Sequence, residues 1–144
     1  MSKETERLKL LNELISIMRE EMESSADPKK KEKVRKELEE VLRKELKKVK
    51  DDFYKNIFFN SLKGILQEQR QRTQDEKARR KITEELKRIL EEGIKDARDD
   101  NSRKKLVDEF KGMVREEMER TSNSAYKKRL LEELKTILWQ EIKK

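Results

Sequence analysis

The sequence predicts an all-α protein in which six antiparallel helices form three tandem helical hairpins. Apolar residues recur at helical spacing along the whole chain, polar corners interrupt them at regular intervals, and the pattern repeats every 48 residues. Three such repeats account for all 144 residues without an insertion. We therefore expect one helical-repeat domain, residues 1–144, with hairpin repeats at 1–48, 49–96 and 97–144.

The repeat is visible in residues that align when the sequence is shifted by 48 positions. The aligned sets are Leu14, Leu62 and Phe110; Ser16, Gly64 and Gly112; Leu38, Leu86 and Leu134; and Val41, Ile89 and Ile137. A glycine in mid-helix costs about 1 kcal/mol relative to alanine, so its recurrence needs a reason. We expect Gly64 and Gly112 to lie where two helix backbones approach closely.

The first hairpin is predicted to contain helices at residues 4–23 and 28–50. Asp27 is a good N-cap between them, and Pro28 stands at the first helical position, where its missing N–H costs nothing. Each helix carries one apolar stripe that we expect to face the core. The stripes are Leu10, Leu11, Leu14, Ile17, Met18 and Met22, then Val34, Leu38, Val41, Leu42, Leu46 and Val49.

The other two hairpins repeat this plan, with helices predicted at residues 53–72, 76–98, 101–120 and 124–143. Asp75 and Asn123 occupy the N-cap position that Asp27 has in the first corner. Their stripes contain Phe58, Leu62 and Leu66; Ile82, Leu86 and Leu90; Phe110 and Val114; and Leu130, Leu134, Ile137 and Leu138. Short corners make successive helices antiparallel neighbours. An open α-solenoid and a closed six-helix bundle or ring both satisfy this pattern.

Composition excludes several classes of function. There is no cysteine and no histidine, which removes disulfides, thiol nucleophiles, ordinary zinc sites and imidazole acid–base chemistry. No apolar run approaches a membrane span and Met1 opens no signal peptide, so we expect a soluble protein compatible with cytoplasmic expression. We expect no metal and no cofactor.

Acidic pairs are the only feature that suggests catalysis. Glu20-Glu21, Glu91-Glu92 and Glu116-Glu117 lie on faces crowded with lysine and arginine. Catalytic carboxylates need burial or a like-charged neighbour that separates their pKa values. We therefore interpret these pairs as solvated surface and predict that the protein is not an enzyme.

Equal uninterrupted repeats, capped corners and surfaces filled with glutamate and lysine resemble a computationally designed helical repeat protein. The resemblance covers the whole chain and implies a structural scaffold without catalytic activity. The sequence departs from design practice in having no glycine at any helix C-terminus. The hairpin plan is also similar to natural solenoids such as HEAT and tetratricopeptide arrays, whose signature residues are missing here.

Basic clusters at the starts of the second, fourth and sixth helices form a candidate phosphate-binding ridge. They are Lys29, Lys30, Lys31, Arg79, Arg80, Lys81, Lys127, Lys128 and Arg129. The net charge of +7 raises the question of nucleic acid, but 39 basic residues face 32 acidic ones. Cations at helix starts and glutamates at the preceding helix ends both oppose the helix dipole, so ion pairs between helices explain both. The interleaved charges favour this paired surface over nucleic-acid binding.

A candidate apolar interface arises where the repeats differ. Phe53, Tyr54 and Ile57 replace polar residues of the third repeat, Trp139 stands where Arg43 and Glu91 stand, and Ile15 aligns with lysines. Exposed aromatic residues are typical interface anchors. The alternative is that the core repacks locally around them. An interface would serve self-association or a protein, peptide or small-molecule target; no partner is certain from the sequence.

Overall fold

The computed structural model describes residues 2–144, and all of their regular secondary structure is helical. The six helices are α1 (Lys3–Ser24), α2 (Pro28–Lys48), α3 (Asp52–Arg72), α4 (Glu76–Asp96), α5 (Asp100–Arg120) and α6 (Ser124–Ile142). From α2 onwards a helix begins every 24 residues, and each connection contains three residues. The all-α class and the six helices are confirmed, with differences of one or two residues at some helix ends.

Polar side chains cap the helices from the loop position directly before each start. Asp27, Asp51, Asp75, Asp99 and Asn123 each accept a hydrogen bond from the backbone N–H two or three residues later, at 2.7–3.0 Å. Each bond satisfies one of the donors that a helix N-terminus leaves unpaired. The predicted capping role of Asp27, Asp75 and Asn123 is confirmed.

The helix C-termini explain why no glycine is needed there. The residues after α1, α2 and α5 leave in extended conformation and donate their N–H to the carbonyl oxygen four residues earlier. No residue in the part of the chain that the structure describes has a positive φ. Glycine is favoured after a helix because it tolerates positive φ, so these loops do not require it.

The chain separates into two compact units, a first unit up to Glu68 and a second unit from Gln69, with the division inside α3. In the first unit α1 packs against α2. In the second unit α4 packs against α5, and α5 packs against α6. These three pairs of consecutive helices are therefore neighbours, as short loops favour. The 48-residue hairpin as repeating unit stays a prediction, and so does the choice between solenoid and bundle.

The cores of both units consist mainly of aliphatic and phenylalanine side chains. Leu38, Leu42, Leu86, Leu90 and Phe110 are fully buried. All five belong to the predicted stripes of α2, α4 and α5. No helix formed by residues 2–144 is long and apolar enough to cross a membrane.

The predicted core stripe of α1 is wrong in part. Its buried side chains are Leu8, Ile15 and Met22, which recur every seven residues. Leu10, Leu14 and Ile17, which the pattern assigned to the core, are exposed (see below). The apolar residues of α1 spread over a wide arc of the helix, and the structure covers only one edge of that arc.

The prediction that glycines mark close helix contacts is also wrong. A Cβ atom built on Gly64 or Gly112 meets no atom within 4 Å. Gly112 is exposed, as is Ser16 at the aligned position of the first repeat. No backbone approach offsets the poor helix propensity of glycine at these positions.

We expect Gly112→Ala to raise the free energy of unfolding by about 1 kcal/mol, because alanine has the higher helix propensity and nothing blocks its methyl group. Chemical denaturation followed by far-UV circular dichroism measures the change. Ser16→Ala should give a smaller gain, since serine is a better helix former than glycine. A loss of stability in Gly112→Ala would show that a partner or a neighbouring helix occupies this surface.

Candidate interaction surfaces and a buried ion network

The most completely buried carboxylate of the second unit, that of Glu117 in α5, lies between two arginines. Arg70 Nη1 donates to Glu117 Oε2 at 3.2 Å, and Arg79 Nε donates to Oε1 at 2.9 Å. The Thr83 hydroxyl lies 3.1 Å from Oε2. Glu117 is 0% exposed, Arg70 3% and Arg79 5%. The other terminal nitrogen of Arg70 binds Glu116 at 3.1 Å, so two carboxylates balance two guanidinium groups.

The first unit contains a simpler version of this network. Arg7 of α1 pairs with Glu45 of α2 at 2.8 Å, and these residues lie 72 positions before Arg79 and Glu117. Arg7 is partly exposed, while Glu45 is buried. Hydrogen bonds from Arg7 lower the pKa of the Glu45 carboxyl. Glu45 therefore stabilises the fold at neutral pH, and this stabilisation is lost as the pH falls through its lowered pKa.

This geometry corrects the interpretation of one acidic pair. Glu116-Glu117 was expected to be solvated surface, and for Glu117 that expectation is wrong. The Glu117 carboxylate can be buried because both of its oxygens accept hydrogen bonds from arginine side chains, which compensate for the lost contacts with water. The sequence offered one signal that could have found this pair: Arg79 and Glu117 recur at the spacing of Arg7 and Glu45.

A second polar cluster joins α4 to α6. The ammonium group of Lys87, which is buried, lies 2.7 Å from Glu84 Oε2 and also binds Glu133. Tyr126 donates its hydroxyl to Glu84 at 3.1 Å, and its ring lies 4.3 Å from the guanidinium carbon of Arg80. Burial, together with the Glu84 carboxylate, raises the pKa of the Tyr126 phenol, so it stays protonated throughout the physiological range.

Glu91 stands one helical turn beyond Lys87, at the edge of this cluster. Burial raises the pKa of its carboxyl above the ordinary 4.5, and the charge of Glu133 adds to the effect. A raised pKa means that the folded state disfavours the ionised form. The ionised carboxylate therefore costs stability once the pH exceeds the pKa of the unfolded chain.

We expect Glu91→Gln to be more stable than the wild type at neutral pH, because a neutral amide is less costly to bury than a carboxylate and does not repel Glu133. The advantage should disappear as the pH falls below 4.5, because the wild-type carboxyl is then protonated in both states. Denaturation at a series of pH values measures both effects. The exposed neighbour Glu92→Gln is the control, and an equal gain from it would contradict the role given to Glu91.

The structure divides the candidate basic ridge into engaged and exposed members. Arg79 is held by Glu117, Arg129 binds Glu84 at 2.6 Å, and Arg80 covers the Tyr126 ring. These three arginines already have partners inside the second unit. The remaining members are all lysines: Lys29, Lys30, Lys81, Lys127 and Lys128 are exposed, and Lys31 is half-buried. Lysine without arginine can hold phosphate as a point charge but lacks the bidentate fork.

The candidate apolar interface is likewise divided. Ile15 is buried in the core, and Tyr54 and Ile57 are half-buried. Phe53 is 67% exposed and stands edge-on to Tyr54 with ring centroids 5.2 Å apart, and Trp139 is 59% exposed. The structure therefore places Phe53 against Tyr54 at the start of α3, with Ile57 one helical turn further along, and leaves Phe53 and Trp139 open to solvent.

The fold and these surfaces define an all-helical protein in which the buried charged side chains of residues 2–144 each have a partner of opposite charge. Among residues 2–144 there is no group of three acidic residues that could hold a metal ion. No protein-family model matches the chain, and no curated protein sequence matches it significantly.

Proposed function

We propose that the chain is a non-catalytic structural scaffold of the computationally designed helical-repeat class. The observation that carries this proposal is the Glu117 network, in which the buried carboxylate is saturated by Arg70 and Arg79. An acid–base or nucleophilic carboxylate needs access to substrate, and Glu117 has none because it is 0% exposed. Instead, its hydrogen bonds with Arg70 of α3 and Arg79 of α4 join these helices to α5.

Backbone regularity supports the designed origin. From α2 onwards helix starts recur every 24 residues, the loops have equal length, and no residue among residues 2–144 has a positive φ. Idealised backbones of this kind are the ones that design procedures favour. Natural helical arrays carry more irregular loops and strained residues, which are often tied to function.

The main alternative is nucleic-acid binding through the exposed lysines, and it provides the sharpest test. We expect the ligand-free chain to show high helicity and cooperative unfolding by circular dichroism. We also expect fluorescence anisotropy with a labelled DNA duplex to show weak association that disappears as salt is raised to a physiological level.

The matched variant carries Lys29→Glu and Lys30→Glu, both at exposed positions. If the wild type binds the duplex tightly at physiological salt and this variant does not, the scaffold proposal is overturned in favour of a nucleic-acid module. Equal behaviour of the two proteins, with weak binding in both, supports the scaffold.

A further inference from the structure

The first and last helices of the chain each expose an apolar stripe. The α1 stripe consists of Leu10, Leu14 and Ile17, and the α6 stripe consists of Leu131, Trp139 and Ile142. Leu10 is 66% exposed and Ile142 is 69% exposed. Within each stripe the spacing of the residues places them on one side of the helix. Several exposed apolar side chains on one side of a helix mark an interaction site more often than scattered single residues do.

Three equivalent positions elsewhere in the chain are buried. Ile82 and Leu86 of α4 lie 72 residues after Leu10 and Leu14, and both are buried. Arg70 of α3 lies 72 residues before Ile142 and is also buried. The offset is the one that relates the two ion pairs, Arg7–Glu45 and Arg79–Glu117. These three positions are thus covered in α3 and α4, whereas their equivalents in α1 and α6 are open; Phe59 and Gln67, the equivalents of Leu131 and Trp139, are half-buried.

Charged residues of opposite sign border the two stripes. Carboxylates stand three or four residues from members of the α1 stripe, and ammonium groups stand three or four residues from members of the α6 stripe. The carboxylates are Glu6, Glu13, Glu20 and Glu21, and the ammonium groups are those of Lys127, Lys128 and Lys135; all seven residues are exposed. The two faces are therefore complementary in charge and alike in apolar character.

The order of these residues fits an antiparallel pairing of α1 with α6 of another chain. Glu13 and Lys135 stand near the middle of their helices, so an antiparallel alignment can place them opposite one another. The acidic end of α1 then meets the basic start of α6, and the apolar residues meet between them. The resulting pairs are Ile17 with Leu131, Leu10 with Leu138, Glu20 with Lys128, and Glu21 with Lys127.

We propose that the α1 stripe of one molecule binds the α6 stripe of a second copy, so that the chain assembles head to tail. This inference goes beyond the scaffold function, because it assigns an occupant to two surfaces that a monomeric scaffold leaves open. The contact uses two different patches. It is therefore heterologous, and repetition of it produces either a closed ring or an open filament.

The wild-type chain tests the proposal first, by light-scattering mass measured as its concentration is raised. We expect the average mass to rise above that of one chain. Two variants then isolate the faces: Leu14→Glu with Ile17→Glu removes the α1 stripe, and Leu131→Glu with Trp139→Glu removes the α6 stripe. All four positions are exposed, so both variants should keep the wild-type circular dichroism spectrum.

Mixing the two variants distinguishes head-to-tail pairing from symmetric pairing. Each variant alone should be a monomer, because one of its two faces is lost. An equimolar mixture should form a heterodimer, because the intact α6 stripe of one variant meets the intact α1 stripe of the other. A symmetric contact would instead leave one of the two variants dimeric on its own, and that result would overturn the proposal.

The control carries Ser16→Glu and Gln140→Glu, which add the same charge at exposed positions outside the stripes. It should associate like the wild type. The proposal also fails if the wild type stays monomeric at every concentration, or if the control loses association as completely as the two face variants. Neither failure bears on the DNA-binding test of the scaffold function, so the two conclusions stand or fall separately.

Discussion

Glu117→Ala is expected to lower the free energy of unfolding by about 3–5 kcal/mol, because it leaves two buried cations without a counter-charge. Arg70 and Arg79 each lose a hydrogen-bonded carboxylate oxygen, at 3.2 and 2.9 Å respectively. Arg70 keeps Glu116, whereas Arg79 loses its buried partner. Chemical denaturation followed by circular dichroism should show the loss as an earlier transition.

Glu119→Ala is the matched control, since it removes an exposed carboxylate from the same helix turn. It should change stability by less than about 0.5 kcal/mol. A triple variant with leucine at Arg70, Arg79 and Glu117 should recover much of the loss, because apolar side chains can replace a buried ion network without penalty. Equal effects of Glu117→Ala and Glu119→Ala would contradict the burial of the network.

Phe110→Ala is expected to have an effect of similar size, a loss of about 3–5 kcal/mol. The Phe110 ring is 0% exposed, and the variant leaves a cavity that the surrounding helices fill only in part. The measurement is again the free energy of unfolding in denaturant. Far-UV circular dichroism of the folded state should stay helical.

Phe110→Leu should cost clearly less than Phe110→Ala. Leucine occupies the aligned positions Leu14 and Leu62, and also the fully buried position Leu38, which lies 72 residues earlier. The exposed aromatic substitution Phe53→Ala provides the control for loss of a ring without loss of core. A Phe110→Ala variant no less stable than Phe53→Ala would show that the ring is not part of the core.

Much of the fold could be predicted because the signals are local. Apolar periodicity and polar corners placed all six helices, and Asp27, Asp75 and Asn123 cap the helices that follow them. A capping side chain binds a backbone N–H only two or three residues away, so its role can be predicted from the neighbouring residues alone. The short loops are also visible in the sequence, and they favour packing between consecutive helices.

The candidate sites were less predictable because burial depends on which side of a helix is covered. The α1 stripe looks like core in sequence, and Leu14 is nevertheless 48% exposed. Glu117 looks like solvated surface and is fully buried. Gly64 and Gly112 suggested close packing where the structure has open space. In each case the burial of the residue depends on helices that are distant in the sequence, and the local pattern does not show where they lie.

The sequence by itself determined that the chain is helical, where the helices begin, and how the first turns are capped. Only the tertiary structure decided that Arg79 forms an ion pair with Glu117 instead of binding a phosphate, and that the apolar stripes of α1 and α6 are exposed to solvent. The physical reason is range: hydrogen bonds within a helix turn join near neighbours, whereas a buried ion pair joins residues of different helices. A charged residue gains a fixed role only when the fold removes water from around it and brings its partner within hydrogen-bonding distance.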